Sequence, residues 1–412
     1  MNTRRCDGRQ ATARVFHNRY RWVCCALVAY GAAPAGAQTV GPGTINATVV
    51  NNAGTGDQTV VGNTTIAIGG TGTGTAVTAG TLTLDPNASG FPAGPIAVQT
   101  TSGHGLFVNA SAAAAAIIAQ PNVTVSTTLG SGAVALGSAA SITASGLTIN
   151  NGAGGTTGGG YGAVAQDGGQ IRLTNSAITV TNTSAIALGT AGAGSSLTLS
   201  GTNTIVSNGA RGVGIYAKNG GTFTLPANTV LNMNGQGSAG VVLEAAPQAD
   251  AAVGDGLTIH LTGTGATNAN GSTGVAAFGG STATFRGLVV DGADASTGVH
   301  VVSGDPRGLG ISNAGTSSTV NLSDATISVS RSSGSVYTVT STPSVALVTA
   351  VGGSTPSLSS LVSAAPAGLR ASPGVQSTLQ STSTINATNT TINVSATNGY
   401  GVYAGARARC RG

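Results

Sequence analysis

The chain has 412 residues, of which 66 are Gly, and only 7% are charged and 3% aromatic. This composition excludes a coiled coil and a charge-rich disordered chain, and its 40% of apolar residues, mostly small or aliphatic, favours many short strands over one large core. The net charge of +5 lies at the two ends, because residues 38–406 contain seven basic and ten acidic residues, and a nucleic-acid partner is therefore not expected.

Residues 1–37 are predicted to form an export signal peptide with a long basic leader. Six of the 16 basic residues precede residue 22, and an apolar run of twelve residues follows from Trp22 to Ala33. A membrane-spanning helix needs about 20 apolar residues, so this run indicates a signal peptide and not an anchor. Small residues then predict cleavage between Ala37 and Gln38. Three of the four cysteines lie within this segment, so we expect no disulfide framework and no Cys metal site in residues 38–406.

Two short patterns recur along residues 38–406. The first alternates apolar residues with polar ones, mostly Thr, Ser or Asn, over three to five positions, which is typical of a β-strand. Its ten copies are residues 81–84, 141–144, 147–149, 171–174, 196–199, 222–225, 257–261, 282–285, 319–322 and 391–394. The second pattern is a Gly followed by small apolar residues. Its six copies are residues 162–165, 212–217, 240–243, 274–277, 298–301 and 399–404.

Repetition at this spacing predicts a solenoid. From Gly212, the successive spacings to Gly240, Gly274 and Gly298 are 28, 34 and 24 residues. Since one unit cannot bury its apolar residues alone, stacked units form a column in which each strand pairs with its neighbours above and below. The sequence therefore predicts an all-β fold, a right-handed parallel β-helix (a β-solenoid rod) over residues 38–406, with about 15 coils of about 24 residues.

The outward positions of this rod are expected to hold Thr, Ser and Asn, which can stack in ladders between coils. An array of β-sandwiches would contain similar strands and is the alternative. Such domains usually carry larger aromatic core residues, whereas no Trp follows Trp22 in this chain. We therefore favour the β-helix.

Residues 38–406 resemble the pertactin-like passenger domains of autotransporters, the type V secretion system of Gram-negative bacteria. The resemblance is carried by the long signal peptide, by a Cys-free body rich in Gly, Thr and Asn, and by residues 212–217 standing next to residues 221–225. It implies an exported β-helix, at the cell surface or secreted, that binds a host or bacterial surface protein or glycan as an adhesin or virulence factor. It also implies delivery across the outer membrane by a C-terminal β-barrel, and no barrel-like run of strands follows the repeats.

Residues 407–412 depart from the repeat and are predicted to be an aberrant tail. Residues 399–405 match residues 212–218 almost position by position, but then three Arg and one Cys follow. We expect the chain to be the N-terminal part of a longer autotransporter, ended by a frameshift or an incomplete gene model. Residues 341–376 contain four prolines, which cannot donate to a parallel ladder, and are predicted to form an extruded loop or linker.

A second family remains an alternative. Residues 132–137 and 184–189 are similar to the head repeats of trimeric autotransporter adhesins. Those repeats follow one another closely and lead into a coiled-coil stalk. Here the two copies are 52 residues apart, and the chain contains no heptad run.

The carboxylates of residues 38–406 give little support to catalysis. Parallel β-helix enzymes that cut polysaccharides need two or three converging carboxylates, or a carboxylate with a basic residue. Glu244 is the one Glu of the body. Its grouped aspartates are Asp250 and Asp255 near one loop, and Asp291, Asp294 and Asp305 near another. We interpret these aspartates as turn residues that accept backbone hydrogen bonds.

Two histidines are predicted to face solvent as isolated side chains. His260 lies between Ile259 and Leu261, and His300 lies between two valines, so alternation turns both rings outward. A metal site would require the two to stack in space. We therefore expect no metal ligand among them.

Two classes of function remain, a surface-displayed binding rod and a β-helical carbohydrate-active enzyme such as a polysaccharide lyase or hydrolase. Sugar sites use aromatic platforms, and Tyr161, Tyr216 and Tyr403 are expected to lean inward within the Gly-containing pattern. We therefore expect a binding rod that acts through its loops and outer faces. It is expected to have no catalytic residue, no metal site and no cofactor.

Overall fold

The computed structural model describes residues 38–406 apart from 153–159, 228, 245–251, 264–271, 293–296, 304–317, 331–336, 341–344, 347–383, 389–390 and 396–399. The predicted signal peptide at 1–37, most of the predicted loop at 341–376 and the predicted tail at 407–412 lie outside the described residues. These three segments stay predictions, as does cleavage after Ala37. The described residues belong to one compact unit, Ala35–Gly412.

The described residues form 37 β-strands and contain no helix. The strands are short because each alternating segment is bounded by Gly, Asn, Asp or Ser, which favour turns. In chain order they are β1 (Gln38–Val40), β2 (Gly43–Ile45), β3 (Val49–Asn51), β4 (Gln58–Val61), β5 (Thr64–Ile68), β6 (Thr75–Val77), β7 (Gly80–Asp85), β8 (Ile96–Thr100), β9 (Leu106–Asn109), β10 (Ala115–Ala119), β11 (Val123–Thr127), β12 (Ala133–Leu136), β13 (Ala140–Ser145), β14 (Thr148–Asn151), β15 (Tyr161–Gln166), β16 (Gln170–Thr174), β17 (Ala177–Val180), β18 (Ile186–Ala191), β19 (Ser196–Ser200), β20 (Thr204–Ser207), β21 (Val213–Lys218), β22 (Thr222–Thr224), β23 (Val230–Met233), β24 (Ala239–Glu244), β25 (Ala252–Asp255), β26 (Thr258–Leu261), β27 (Thr273–Phe278), β28 (Thr282–Arg286), β29 (Val289–Gly292), β30 (Thr297–Ser303), β31 (Thr319–Ser323), β32 (Thr326–Ser330), β33 (Tyr337–Thr340), β34 (Val345–Ala346), β35 (Thr384–Thr388), β36 (Thr391–Ser395) and β37 (Tyr400–Ala406).

From β1 to β30 every third strand returns to the same sheet, so the chain winds through three sheets in ten coils. The first sheet has the order β1-β4-β7-β10-β13-β16-β19-β22-β25-β28-β31-β35-β34, and the second has the order β2-β5-β8-β11-β14-β17-β20-β23-β26-β29-β32-β36-β33. The third sheet has the order β3-β6-β9-β12-β15-β18-β21-β24-β27-β30-β37. Strands of successive coils pair in parallel. The predicted all-β parallel β-solenoid is thereby confirmed over a β-sandwich array, while the handedness of the coil stays a prediction.

The coils are fewer and mostly longer than predicted. Register partners lie 20 residues apart at Gln38 and Gln58, but 37 residues apart at Thr282 and Thr319. The strands stay short, so the added length lies in the connections between them. The predicted alignment of the Gly pattern also needs a correction, because Val213 pairs with Ala239, which places Gly240 level with Gly214 and not with Gly212.

The two sequence patterns occupy different sheets. All ten copies of the alternating pattern lie in the first and second sheets, and all six copies of the Gly pattern lie in the third. The inward positions of the second sheet form an unbroken column of ten fully buried residues, Ile66, Val98, Val125, Ile149, Ile178, Ile205, Leu231, Ile259, Val290 and Ile327. Burial of each side chain contributes about 1.5–3 kcal/mol. Each coil is therefore stabilised by the coils above and below it.

The corner between the first and second sheets is a tight turn. Ten of its twelve connections have only two or three residues. Nine of these ten contain a residue with positive φ, namely Gly41, Asn63, Asn122, Gly146, Asn175, Gly201, Gly256, Gly287 or Asp324. Gly, Asn and Asp adopt this left-handed conformation at the lowest cost, which explains why they recur here.

The corner between the second and third sheets requires Gly for a different reason, close approach of backbones. A Cβ atom on Gly130 would lie 1.8 Å from the carbonyl oxygen of Gly103, one coil earlier. The same contact would be 1.8 Å at Gly235, against the carbonyl oxygen of Gly209. Buried hydroxyls close these turns, as when Thr127 Oγ1 donates to the carbonyl oxygen of Gly130 at 3.2 Å.

Polar ladders connect successive coils, as the sequence predicts. Asn234 Nδ2 donates to Asn208 Oδ1 at 2.8 Å, and Thr262 Oγ1 donates to Asn234 Oδ1 at 2.7 Å.

At the far end of the column, β33 pairs antiparallel with β36 and β34 pairs antiparallel with β35. Two residues of the predicted loop therefore form a strand. The described part of the chain holds no helix with the length and apolar character needed to cross a bilayer.

Candidate functional site

The outer faces of the three sheets differ in chemistry. Outward residues of the first two sheets are mostly hydroxylated or amide side chains, such as Thr81 and Thr83 on β7 or Thr148 and Asn150 on β14. The third sheet instead presents an apolar and aromatic column, which we call the outer column. Its register partners from β9 to β27 are Phe107, Val134, Val164, Gly189, Tyr216, Val242 and Ala276.

The outer column lies outside the main core. On β9, Leu106 and Val108 are fully buried in the core, so the intervening Phe107 faces outward. Val242 belongs to a separate small cluster with its neighbours on the same outer face. The column is nevertheless closely packed, because Val164 on β15 is only 2% exposed. The third sheet thus carries apolar packing on both of its faces.

Tyr161 covers the one position of the outer column that lacks a side chain. A Cβ atom on Gly189 would lie 2.6 Å from Tyr161 Cε1 and 3.1 Å from Val164 Cγ2. The Tyr161 ring therefore occupies the space above Gly189, and any side chain at this position would displace it. The ring remains half-buried.

Tyr216 also faces outward, since Ile215 and Ala217 on either side of it are fully buried. Its hydroxyl donates a hydrogen bond to Glu244 Oε2 on the next strand. Lys218 Nζ lies 3.2 Å from Glu244 Oε1, and the two side chains are 39% and 6% exposed. Both oxygens of the one Glu of the body are therefore engaged by groups from β21.

These positions correct the prediction that the tyrosines lean inward. Tyr161 and Tyr216 face outward, whereas the side chain of Tyr403 lies outside the described residues. The period of two fails at the start of β21 because Gly214 and Ile215 both face the core. Counting the alternation backward from Lys218, an outward polar residue, would have assigned Tyr216 correctly.

Four of the six connections of seven or more residues begin or end at strands of the third sheet, and the other two join β7 to β8 and β34 to β35. Nine residues separate β14 from β15 and eleven separate β26 from β27 on entry to the sheet. On exit, seven residues separate β24 from β25 and fifteen separate β30 from β31. In repeat proteins, insertions that collect at one face often mark the binding face.

His104 stands in the turn before β9, at the edge of this face. Its ring lies against that of Phe107, with centroids 5.2 Å apart and planes inclined by 35°. Its Nδ1 atom is buried and has no hydrogen-bond partner. Burial therefore lowers the pKa of His104 below its ordinary value, because the charged form loses its hydration.

The second sheet pairs one of the predicted histidines with one of the predicted aspartates. His260 faces outward, as predicted, and its Nδ1 lies 3.6 Å from Asp291 Oδ2. The expectation that His260 is isolated is therefore wrong. Ser328 follows Asp291 in the register, so Asp291 and not His260 adjoins this hydroxyl. A nucleophilic serine needs the imidazole beside it, and this order does not supply one.

The other predicted candidates are not brought together in the described part. Asp255 is an exposed residue at the end of β25. Asp250, Asp294, Asp305 and the side chain of His300 lie outside the described residues. Within the described ranges, no three His, Cys, Asp or Glu side chains lie close enough to hold a metal ion.

Comparison with known proteins leaves the family resemblance as a prediction. No family model, curated protein or solved structure matches this chain. The parallel β-solenoid is consistent with a pertactin-like passenger domain. Function must therefore be argued from the faces and contacts of this chain.

Proposed function

We propose that the chain is an exported, autotransporter-type β-helical passenger at the cell surface or secreted, and that it binds a host or bacterial surface protein or glycan as an adhesin. The observation that carries this proposal is the outer face of the third sheet. That face presents half-buried tyrosines beside apolar side chains, and long connections border it. Aromatic residues are enriched among the few residues that carry most of the binding energy in protein interfaces.

Binding without catalysis is supported by two carboxylates of the described residues, Glu244 and Asp291. Glu244 is buried, and both of its oxygens already take part in contacts within the protein. Asp291 lies in an exposed pair with His260. Hydrolysis of a glycosidic bond needs two carboxyl groups facing each other across the bond, and these two residues lie on different sheets.

Adhesion of coated beads tests this function. Beads carrying the full chain are passed over surfaces coated with host matrix proteins, bacterial envelopes and polysaccharides, and the bound fraction is measured. We expect adhesion to at least one surface, and a loss of at least about tenfold for Tyr216→Ala. The control is Thr198→Ala on the outer face of the first sheet, which should adhere like the unchanged chain.

Two results would contradict the proposal. Adhesion to none of the surfaces would refute the binding function. An equal loss for Thr198→Ala and Tyr216→Ala would refute the assignment to the third sheet. Release of shortened glycans, measured by mass spectrometry of the eluate, would favour the enzyme instead.

A further inference from the structure

We propose that the ligand of the third-sheet face is an uncharged glycan chain, whose sugar rings stack on Tyr161 and Tyr216. This inference rests on the proposed binding function and names the chemistry of its ligand. It follows from the placement of the two rings, from the charge of the face and from the pairing of its strands.

The fold brings the two tyrosines to adjacent strands although their own strands are not neighbours. Tyr161 belongs to β15, but its ring lies over Gly189 of β18. Gly189 is the register partner of Tyr216 on β21. The Tyr161 ring therefore lies on the strand next to β21, whereas the Tyr216 ring extends from β21 toward Glu244 on β24, to which its hydroxyl donates. Neighbouring strands lie about 4.8 Å apart in a sheet. Two aromatic rings are thereby placed one after the other along the axis of the coils.

The charge of this face favours an uncharged ligand. Among the described outward residues of the third sheet from β9 to β24, Lys218 and Glu244 carry charges, and they neutralise each other. An anionic chain would need cations that are free to bind it. The exposed Arg211 lies in the turn before β21 and not on the sheet face. A contribution of Arg211 to ligand binding would be measured as a fall of affinity with rising salt concentration.

The pairing of the strands disfavours an extended peptide. Strands β15, β18 and β21 each have a parallel neighbour on both edges, so no edge is open for strand addition. A sugar ring instead offers an apolar C–H face that can lie on an aromatic ring, while its hydroxyls reach polar groups at the margin. Gln166 supplies such a group at the end of β15. Ligand sites commonly combine an apolar floor with a few polar side chains in this way.

The test uses calorimetric titration of the full chain with cellohexaose, chitohexaose and laminarihexaose, with heparin as the anionic comparison. We expect binding to at least one neutral oligosaccharide and little change of affinity with salt concentration. Tyr161→Ala and Tyr216→Ala should each weaken binding at least about tenfold. Tyr216→Phe keeps the ring and should retain the affinity within a few-fold.

Gly189→Ala is the decisive variant because it leaves both tyrosines in the chain. The three atoms nearest to the added methyl would be two edge atoms of the Tyr161 ring and one Val164 methyl, all of them side-chain atoms, so the ring must shift to make room. We expect the same loss of affinity as for Tyr161→Ala, and no further loss when the two changes are combined. Gly69→Ala is the matched control, since a Cβ atom there has nothing within 4 Å.

The outcomes separate this inference from the function on which it rests. Failure to bind any neutral oligosaccharide overturns the inference. It is also overturned if the chain binds heparin alone and the affinity for heparin falls as the salt concentration rises. Unchanged affinity in Gly189→Ala, with a circular dichroism spectrum like that of the unchanged chain, also overturns it. If beads still adhere to a protein surface in a manner that depends on Tyr216, the binding function stands and the ligand is a protein.

Discussion

Replacement of Glu244 by Gln tests the contacts that hold the third-sheet face together. The substitution keeps the size of the side chain but removes its charge. The Tyr216 hydroxyl now donates to a neutral oxygen instead of a carboxylate, and the ion pair with Lys218 is lost. Both contacts join β21 to β24, which belong to successive coils, so their loss weakens the contact between these two strands.

The expected cost follows from the exposure of the partners. A hydrogen bond to a charged group contributes about 1.5–3 kcal/mol and one to a neutral group about 0.5–1.5 kcal/mol, so the weaker acceptor costs about 1 kcal/mol. Lys218 is 39% exposed, and its ion pair is therefore screened and contributes at most about 1 kcal/mol. We expect Glu244→Gln to lower the free energy of unfolding by about 1–2 kcal/mol.

The assay is urea unfolding of the full chain followed by far-UV circular dichroism. Asp291→Asn is the matched control, because it also converts one carboxylate to an amide but at a side chain that is 66% exposed. We expect the control to stay within about 0.5 kcal/mol of the unchanged chain. If Glu244→Gln costs no more than this control, the carboxylate does not stabilise the face and our reasoning is wrong.

Three further predictions concern the fold. Gly130→Ala should prevent stable folding or lower the melting temperature strongly, because its Cβ atom would lie 1.8 Å from the Gly103 carbonyl oxygen, whereas Gly69→Ala should melt like the unchanged chain. Ile205→Ala should cost about 2–5 kcal/mol in urea unfolding, since the side chain is fully buried; a cost below about 1 kcal/mol would contradict the packed column. Burial lowers the pKa of His104 below 6.5, so the unfolded chain binds the proton more readily and stability should fall as the pH drops below 6.5. His104→Phe should show a smaller fall between pH 7.5 and 5, and equal falls in the two proteins would refute this assignment.

Local patterns were sufficient to predict the strands and their stacking. Alternation of apolar and hydroxylated residues creates an inner and an outer face, and short turns at Gly, Asn and Asp prevent long strands. The outward orientation of the His260 ring followed from its buried neighbours Ile259 and Leu261, because a period of two depends only on adjacent residues. The number of coils could not be predicted in this way, because connections of unequal length leave the strand pattern unchanged.

Contacts between coils depended on register, which no local pattern contains. Lys218 and Glu244 are 26 residues apart in the chain and His260 and Asp291 are 31 apart, and each pair meets only because their strands align. The orientation of Tyr216 was predicted wrongly because two successive core-facing residues at the start of β21 shift the alternation.

The sequence by itself determined that the chain forms a stacked all-β column, since period and turn chemistry act over a few residues, but it predicted Thr, Ser and Asn on every outer face. Only the tertiary structure showed that the outer face of the third sheet is apolar and aromatic. There the absence of a side chain at Gly189 matters solely because the Tyr161 ring comes to lie over it. Such a contact joins residues from different coils, and the space that it fills exists only after the coils have stacked.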